Sequence, residues 1–212
     1  MIITIDGPAG SGKSTIARIL AQRLGYRHLD TGMMYRTLTL KLLNEHCDLD
    51  DLDQVSRLAR TASLSFVFSA GTARAFLDQQ DVTEAIRHQE VTRSVSKVAA
   101  IPLVREILVE QQRLQERQGG IVADGRDMGT VVFPDADLKF YLDATPDERA
   151  LRRQKELEAK GTRLSREVLL AEMSERDRKD STREIGPLRR ACDAILVDTT
   201  GLAIEEVTAR LL

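Results

Sequence analysis

An eight-residue string near the N-terminus constrains this chain more than any other feature. Residues 7–14 read Gly7-Pro8-Ala9-Gly10-Ser11-Gly12-Lys13-Ser14, a G-x-x-x-x-G-K-[ST] pattern. It follows the apolar run Ile2-Ile3-Thr4-Ile5. It precedes apolar residues at helical spacing: Ile16, Ala17, Ile19, Leu20 and Leu24. Strand, glycine-rich loop and helix in that order wrap backbone N–H groups around a phosphate chain at a helix N-terminus, where the dipole favours anions. Gly7, Pro8, Ala9, Gly10, Ser11, Gly12, Lys13, Ser14 and Thr15 are therefore the candidate phosphate cradle. Lys13 is placed to reach β- and γ-phosphates, and the Ser14 hydroxyl to ligate the Mg2+ that travels with them.

Beyond the loop, buried strands alternate with helices. Residues 2–6 read as a strand, 13–24 as a helix ended by Gly25, and 26–29 as a second strand. Helices follow at 31–44 and 51–62, the latter capped by Asp50 or Asp51. Then 64–68 and 73–77 alternate like strands around a turn at Gly71, and this small β unit ends near Val82-Thr83-Glu84. Residues 84–118 read as two or three helices interrupted by Pro102, and Gly119-Gly120 break the last of them. Buried strands recur at 121–123, 138–142 and 194–197. Helices fill Pro146 to about Lys160, Ser165 to about Lys179, and 203–211. Such alternation implies an α/β fold, a parallel sheet with helices on both faces, and phosphate ligands at the carboxyl ends of its strands.

Composition narrows the function classes. The chain has 212 residues, enough for one domain with a sub-domain inserted, and 42% hydrophobic residues suffice for a core. A net charge of −2 provides no global field for nucleic acid or a membrane surface. The first residues run directly into a strand, without a basic leader or transmembrane run, so a cytoplasmic protein is expected. Cys47 and Cys192 are read as two reduced thiols, with no structural zinc. His28, His46 and His88 are scattered singly and read as surface or satisfied histidines. Nothing suggests an obligate dimer, and a monomer is expected.

A phosphate loop shows that phosphate binds, not what is done with it. Three further strings bear on that. In Asp30-Thr31-Gly32-Met33-Met34-Tyr35-Arg36, a hydroxyl at a helix start and an arginine one turn later suit a second phosphorylated ligand. An ordinary N-cap with a solvated arginine explains the same letters. In Asp124-Gly125-Arg126-Asp127, Arg126 can grip a phosphate and Asp127 can accept from a base amine; a charged turn with internal pairs is the plainer reading. In the run from Arg176 to Arg183, Arg176, Asp180 and Arg183 share a face if the helix extends that far. That is either a solvated ion-paired face or the guanidinium cluster that phosphoryl transfer needs. Arg149, Arg152 and Arg153 are either lid contacts to ATP or plain surface.

At these residues the chain resembles the bacterial-type cytidylate kinases, along nearly its whole length. The likeness is carried by the loop at 7–15, Asp30-Thr31-Gly32 with Tyr35-Arg36, Gln89-Glu90-Val91, Ser96-Lys97-Val98-Ala99 and Val104-Arg105-Glu106. The stretch from Ile121 to Pro134, the run from Arg176 to Arg183, and Val197-Asp198-Thr199-Thr200 complete it. Ser14 fits the Gly or Ser that follows the loop lysine in the family, and a short C-terminal helix suggests a trimmed adenine side. The resemblance implies a three-layer P-loop nucleotide kinase fold built on a five-stranded parallel sheet. A small α/β monophosphate-binding insert would occupy about 58–100 and a short lid about 150–166, with the core at 1–57, 101–149 and 167–212. It implies transfer from ATP, with Mg2+, to CMP or dCMP. Ser96, Arg105 and Asp127 would read the cytosine; Thr31, Arg176 and Asp180 would hold the sugar; Arg36, Arg126 and Arg183 would hold the monophosphate. Lys13, Arg126, Arg183 and Arg152 or Arg153 would neutralise the migrating group.

Three rivals frame that expectation. A regulatory GTPase needs Asn-Lys-x-Asp for guanine, and the single asparagine, Asn44, is followed by Glu45. Another small-molecule kinase, for uridylate, adenylate or shikimate, lacks a reason for the Ser96, Arg105 and Asp127 set. A non-catalytic ATP-binding module would not need an arginine-lined acceptor site.

Overall fold

The computed structural model describes residues 1–69, 72–159 and 161–212. Five parallel strands form the central sheet: β1 (Ile2–Asp6), β2 (Arg27–Asp30), β6 (Ile121–Gly125), β7 (Leu138–Asp143) and β8 (Ile195–Asp198), in the order β2-β6-β1-β7-β8. The remaining strands, β3 (Leu64–Ser69), β4 (Thr72–Leu77) and β5 (Gln80–Asp81), make a separate antiparallel sheet. The Gly71 turn expected between β3 and β4 lies outside the described residues.

Alternation along β1 and β6 sorts their side chains to two faces. Ile3, Ile5 and Val122 meet Ile16 and Leu20 of α1 (Lys13–Leu24) and Val207 and Leu211 of α8 (Ile204–Leu211). Ile121 and Ala123 face the opposite way, onto Met34 of α2 (Thr31–Asn44) and Val109 of α5 (Pro102–Leu114). Helices thus cover both faces, as strands buried on two sides require. The small sheet packs on α2 through Ala75, Met33 and Leu40. α3 (Leu52–Thr61) and α4 (Gln89–Val98) join α2 and α5 in a second core of Leu38, Val55, Val95 and Leu108.

Local chemistry sets the element ends. Asp51, rather than Asp50, caps α3, accepting from the Asp53 and Gln54 N–H groups. Thr145 caps α6 (Pro146–Glu158), with Pro146 at the first helical position. α7 (Arg166–Thr182) runs three residues beyond the Lys179 stop read from sequence. β2 lies one residue later than read, because Asp30 pairs in register with Asp124. Behind β6 the chain makes a turn of π-helix (Met128–Val132), in which the Phe133 N–H bonds the Met128 carbonyl at 2.7 Å. Buried Asp6 receives its Met128 and Gly129 N–H groups at 2.8 Å each.

Candidate active site

The carboxyl ends of β1, β2 and β6 lie side by side, so residues over a hundred positions apart meet at one edge. The loop after β1 turns at Gly7, with φ +149°, where any Cβ would overlap the Leu142 carbonyl oxygen. Only glycine fits that approach. Lys13 opens α1, and its ammonium folds back to the Pro8 carbonyl at 2.6 Å and Ser11 Oγ at 3.4 Å. Burial, followed by the neighbouring Arg126 charge, pushes the Lys13 pKa well below the lysine range. An anionic ligand would relieve both penalties.

Arg149 braces this loop from beneath, donating to the Ala9 carbonyl at 3.0 Å and the Ala144 carbonyl at 3.1 Å. It also pairs with Asp177, whose other oxygen accepts the Ala9 N–H at 3.1 Å. The plain-surface reading of Arg149 does not hold: it is a buried strut. Its α6 neighbours differ. Arg152 is occupied by Glu148 at 2.9 Å and by Thr199, through Oγ1 at 3.0 Å and the carbonyl at 2.6 Å. Arg153 lines the cleft and pairs with Glu156 at 3.0 Å.

Asp124, at the end of β6, organises the loop's outer side. Its Oδ2 accepts the Ser14 hydroxyl at 2.6 Å, its Oδ1 faces His28 Nε2 at 2.7 Å, and its carbonyl accepts the Thr31 hydroxyl at 2.7 Å. Burial pushes the Asp124 carboxyl up, but the His28 and Ser14 hydrogen bonds and the Lys13 charge outweigh it, leaving its pKa below the ordinary value. His28 is raised: burial opposes its charge, but Asp124 and Asp30 favour it more. Sequence reading gave Asp124 no role of its own and His28 none at all. The available signal was a carboxylate closing a buried strand beside the loop's own strand.

From the loop a cleft of about 890 Å³ extends between α2, α4 and α7. Arg36, Arg126, Arg153, Arg176 and Arg183 all line it. Arg126 Nε meets Asp180 Oδ2 at 2.9 Å, and Arg176 Nε lies 4.0 Å from the same oxygen. Arg36 donates to Thr92 Oγ1 at 2.8 Å. Burial and the charges of Arg126 and Arg36 lower the Arg176 pKa to about 9. Burial, with Arg153 and Arg126, lowers Arg36 to about 10 despite Asp30. Guanidinium groups crowded enough to perturb one another mark a site short of negative charge.

At the far end, buried Asp127 pairs with Arg105 and lies 3.4 Å from Arg183, whose Nε donates to the Gly186 carbonyl at 2.6 Å. Arg105 stands one layer behind the cleft wall, over the Tyr35 ring at 5.8 Å. Ser96 Oγ, on the wall, is buried with no hydrogen-bond partner among the described residues. Gly186, absent from the sequence reading, packs with φ +59° where a Cβ would overlap the Arg105–Asp127 pair. Thus Lys13, Ser14, Thr31, Arg36, Ser96, Arg126, Asp127, Arg176, Asp180 and Arg183 share one cleft, whereas Arg105 and Arg152 stand outside its lining.

These buried groups set a direction for stability against pH. Burial raises Asp6 to about 7, and it also raises Asp30 and Asp127 above the ordinary carboxyl value. A raised folded pKa gives stability that is complete below the unfolded value and lost as pH rises through the folded one. His28 acts in the same sense near neutrality. These carboxyl and imidazole groups therefore withdraw stability from the ligand-free protein between pH 5 and pH 8, whereas Lys13, lowered by burial, acts in the opposite sense. The Asp6 shift from 3.8 to about 7 has a ceiling of roughly 4 kcal/mol over its whole window, of which roughly 3 kcal/mol falls between pH 5 and pH 8. Urea midpoints at the two pH values check this: the midpoint of wild type relative to that of Asp6→Asn should fall from pH 5 to pH 8, and an unchanged relative midpoint would refute it.

Comparison with known proteins agrees with this geometry. The family model described as cytidylate kinase matches residues 3–212. The cytidylate kinase of Carboxydothermus hydrogenoformans is 50% identical over 212 residues, covering 100% of this chain and 96% of that one. That of Desulfitobacterium hafniense is 51% identical over 210 residues, covering 99% and 90%. A bifunctional pantoate ligase/cytidylate kinase of Synechococcus sp. is 49% identical over 213 residues, covering 99% of this chain and 39% of the longer protein. Among solved structures, an uncharacterized protein from Eubacterium ventriosum covers 100% of this chain and 95% of its own, at 13% identity and a TM-score of 0.51, a likeness of fold alone. This chain belongs to the cytidylate kinase family.

Proposed function

We propose that this protein transfers the γ-phosphoryl group of ATP to CMP or dCMP, giving ADP and CDP or dCDP. The observation that carries the proposal is one cleft with a phosphate loop at one end and the buried Asp127 carboxylate at the other, separated by Arg36, Arg126 and Arg176. A donor triphosphate and an acceptor monophosphate meet in the middle of such a cleft.

The acceptor phosphate is already a nucleophile near neutral pH, so the protein's part is positioning and charge stabilisation. Lys13 leaves the Pro8 carbonyl for the β- and γ-phosphates. Arg36, Arg126 and Arg183 hold the monophosphate, and Arg126, Arg183 and Arg153 neutralise the migrating group. Arg152, bound to Thr199, would have to release it to join them. Thr31, Arg176 and Asp180 hold the sugar. Asp127, set by Arg105 and sharing the cleft wall with Ser96, accepts from the cytosine N4 amine and repels a uracil O4. An insert near 58–100 and a lid near 150–166 would close over the cleft and exclude water.

The Ser14 hydroxyl and Asp124 carboxylate, hard oxygens 2.6 Å apart beside the phosphate loop, suit Mg2+, which takes few protein ligands beside substrate phosphates. Bound there with ATP, Mg2+ would offset charge on the β- and γ-phosphates.

A steady-state panel of CMP, dCMP, UMP, AMP and shikimate with ATP tests the reading. CMP and dCMP should exceed the others in kcat/KM by at least about a hundredfold. UMP outperforming CMP would refute the base assignment, and nucleotide binding without transfer to any acceptor would refute the activity.

A further inference from the structure

The transfer scheme leaves His28 unused, although it touches the carboxylate that the scheme depends on. We propose that His28 is a positioning residue that holds Asp124 for the divalent cation accompanying the nucleotide. The inference rests on the reading of Ser14 and Asp124 as that cation's site.

The geometry is specific. β2 and β6 pair with His28 opposite Val122 and Asp30 opposite Asp124, so the His28 ring reaches two residues along its neighbour to Asp124 Oδ1 at 2.7 Å. The two side chains are 13% and 4% exposed. An ionised carboxylate only accepts, so His28 Nε2 carries the donated hydrogen. The other oxygen, Oδ2, receives the Ser14 hydroxyl at 2.6 Å. With both oxygens fixed, the carboxylate cannot pivot, and Ser14 keeps the rotamer that its acceptor dictates. Remove the imidazole and Oδ1 is left buried without that donor, and the carboxylate is no longer held in the orientation that faces the cation. His28 itself is not on the cleft wall, so its effect passes through Asp124. A hydrogen-bonded outer partner commonly orients a metal-facing carboxylate in this way.

Calorimetric titration of ADP at a series of MgCl2 concentrations, and in EDTA, tests the assignment without turnover. Wild type should bind ADP more tightly as Mg2+ rises. His28→Leu should move the half-maximal MgCl2 concentration up about tenfold, the loss of one charge-assisted hydrogen bond. ADP affinity in EDTA should be unchanged. His28→Gln, whose amide nitrogen can take the Nε2 position, should return the midpoint to within about twofold. In an Asp124→Asn background, His28→Leu should shift the midpoint no further. An unchanged midpoint in His28→Leu, or loss of ADP binding in EDTA alongside the shift, overturns the positioning role. If His28→Leu does not fold, a wild-type-like midpoint in His28→Gln supports it and a shifted one overturns it. ADP binding indifferent to Mg2+ in wild type overturns instead the cation site itself.

Discussion

Arg126→Ala should lower kcat by about a thousandfold or more while ADP binding stays close to wild type. Arg126 lines the cleft between the phosphate loop and Asp127, with Nε on Asp180 at 2.9 Å and a long 3.5 Å hydrogen bond from Nη1 to the Gly125 carbonyl that a bound phosphate could replace. Its charge already lowers the pKa of Lys13 and of Arg176, so it lies within electrostatic reach of both the donor and acceptor ends. Charge of this kind is worth most where it develops, on the transferring group, and so falls on kcat more than on KM. The fold should tolerate the change, because Asp180 keeps Arg176 4.0 Å away. Arg126→Lys separates charge from geometry: a point charge without the fork should recover part of the loss. A kcat within tenfold of wild type for Arg126→Ala, in protein that still binds ADP, removes Arg126 from the transfer step.

Much of this site was legible because its signals are local. The phosphate loop needs only a strand, glycines and a helix in series, all within residues 2–24, and each has its own pattern. The Asp124 to Asp127 string was legible as a site because it closes a strand of near-continuous apolar residues. What stayed hidden is what the sheet brings together. The one-residue offset of β2 follows from pairing with β6, and no letter near Tyr26 reports it. Arg149 looked like a member of an arginine cluster because its neighbours are Arg152 and Arg153. Its strut role depends on α6 passing beneath the loop, 140 residues earlier in sequence. His28 looked incidental for the same reason, since Asp124 is 96 residues away. Whether Arg176, Asp180 and Arg183 share a face turned on helix length. α7 reaches Thr182, so the first two lie on it, with Arg183 at its cap.

The second large effect is expected at Asp127, on specificity and stability together. Arg105 and Arg183 side chains are 2% and 5% exposed, and Asp127 is the anion between them. Asp127→Ala would leave two buried cations facing each other, a change that costs about 3–5 kcal/mol. At roughly 2–4 °C per kcal/mol for a chain of this size, the melting temperature should fall by roughly 6–20 °C. The same variant should lose kcat/KM for CMP by about a hundredfold to a thousandfold, since the N4 amine then has no acceptor. Loss of folding alone would produce a similar activity deficit, so Asp127→Asn separates the two. Asparagine keeps the shape and an oxygen for the arginines, but its amide can also present a donor to a uracil O4. Activity per folded molecule should then shift toward UMP, and the CMP-to-UMP ratio should fall at least about tenfold. A folded Asp127→Asn protein with the wild-type ratio would move base reading away from this carboxylate, leaving Asp127 as the counter-ion that keeps Arg105 and Arg183 in the core.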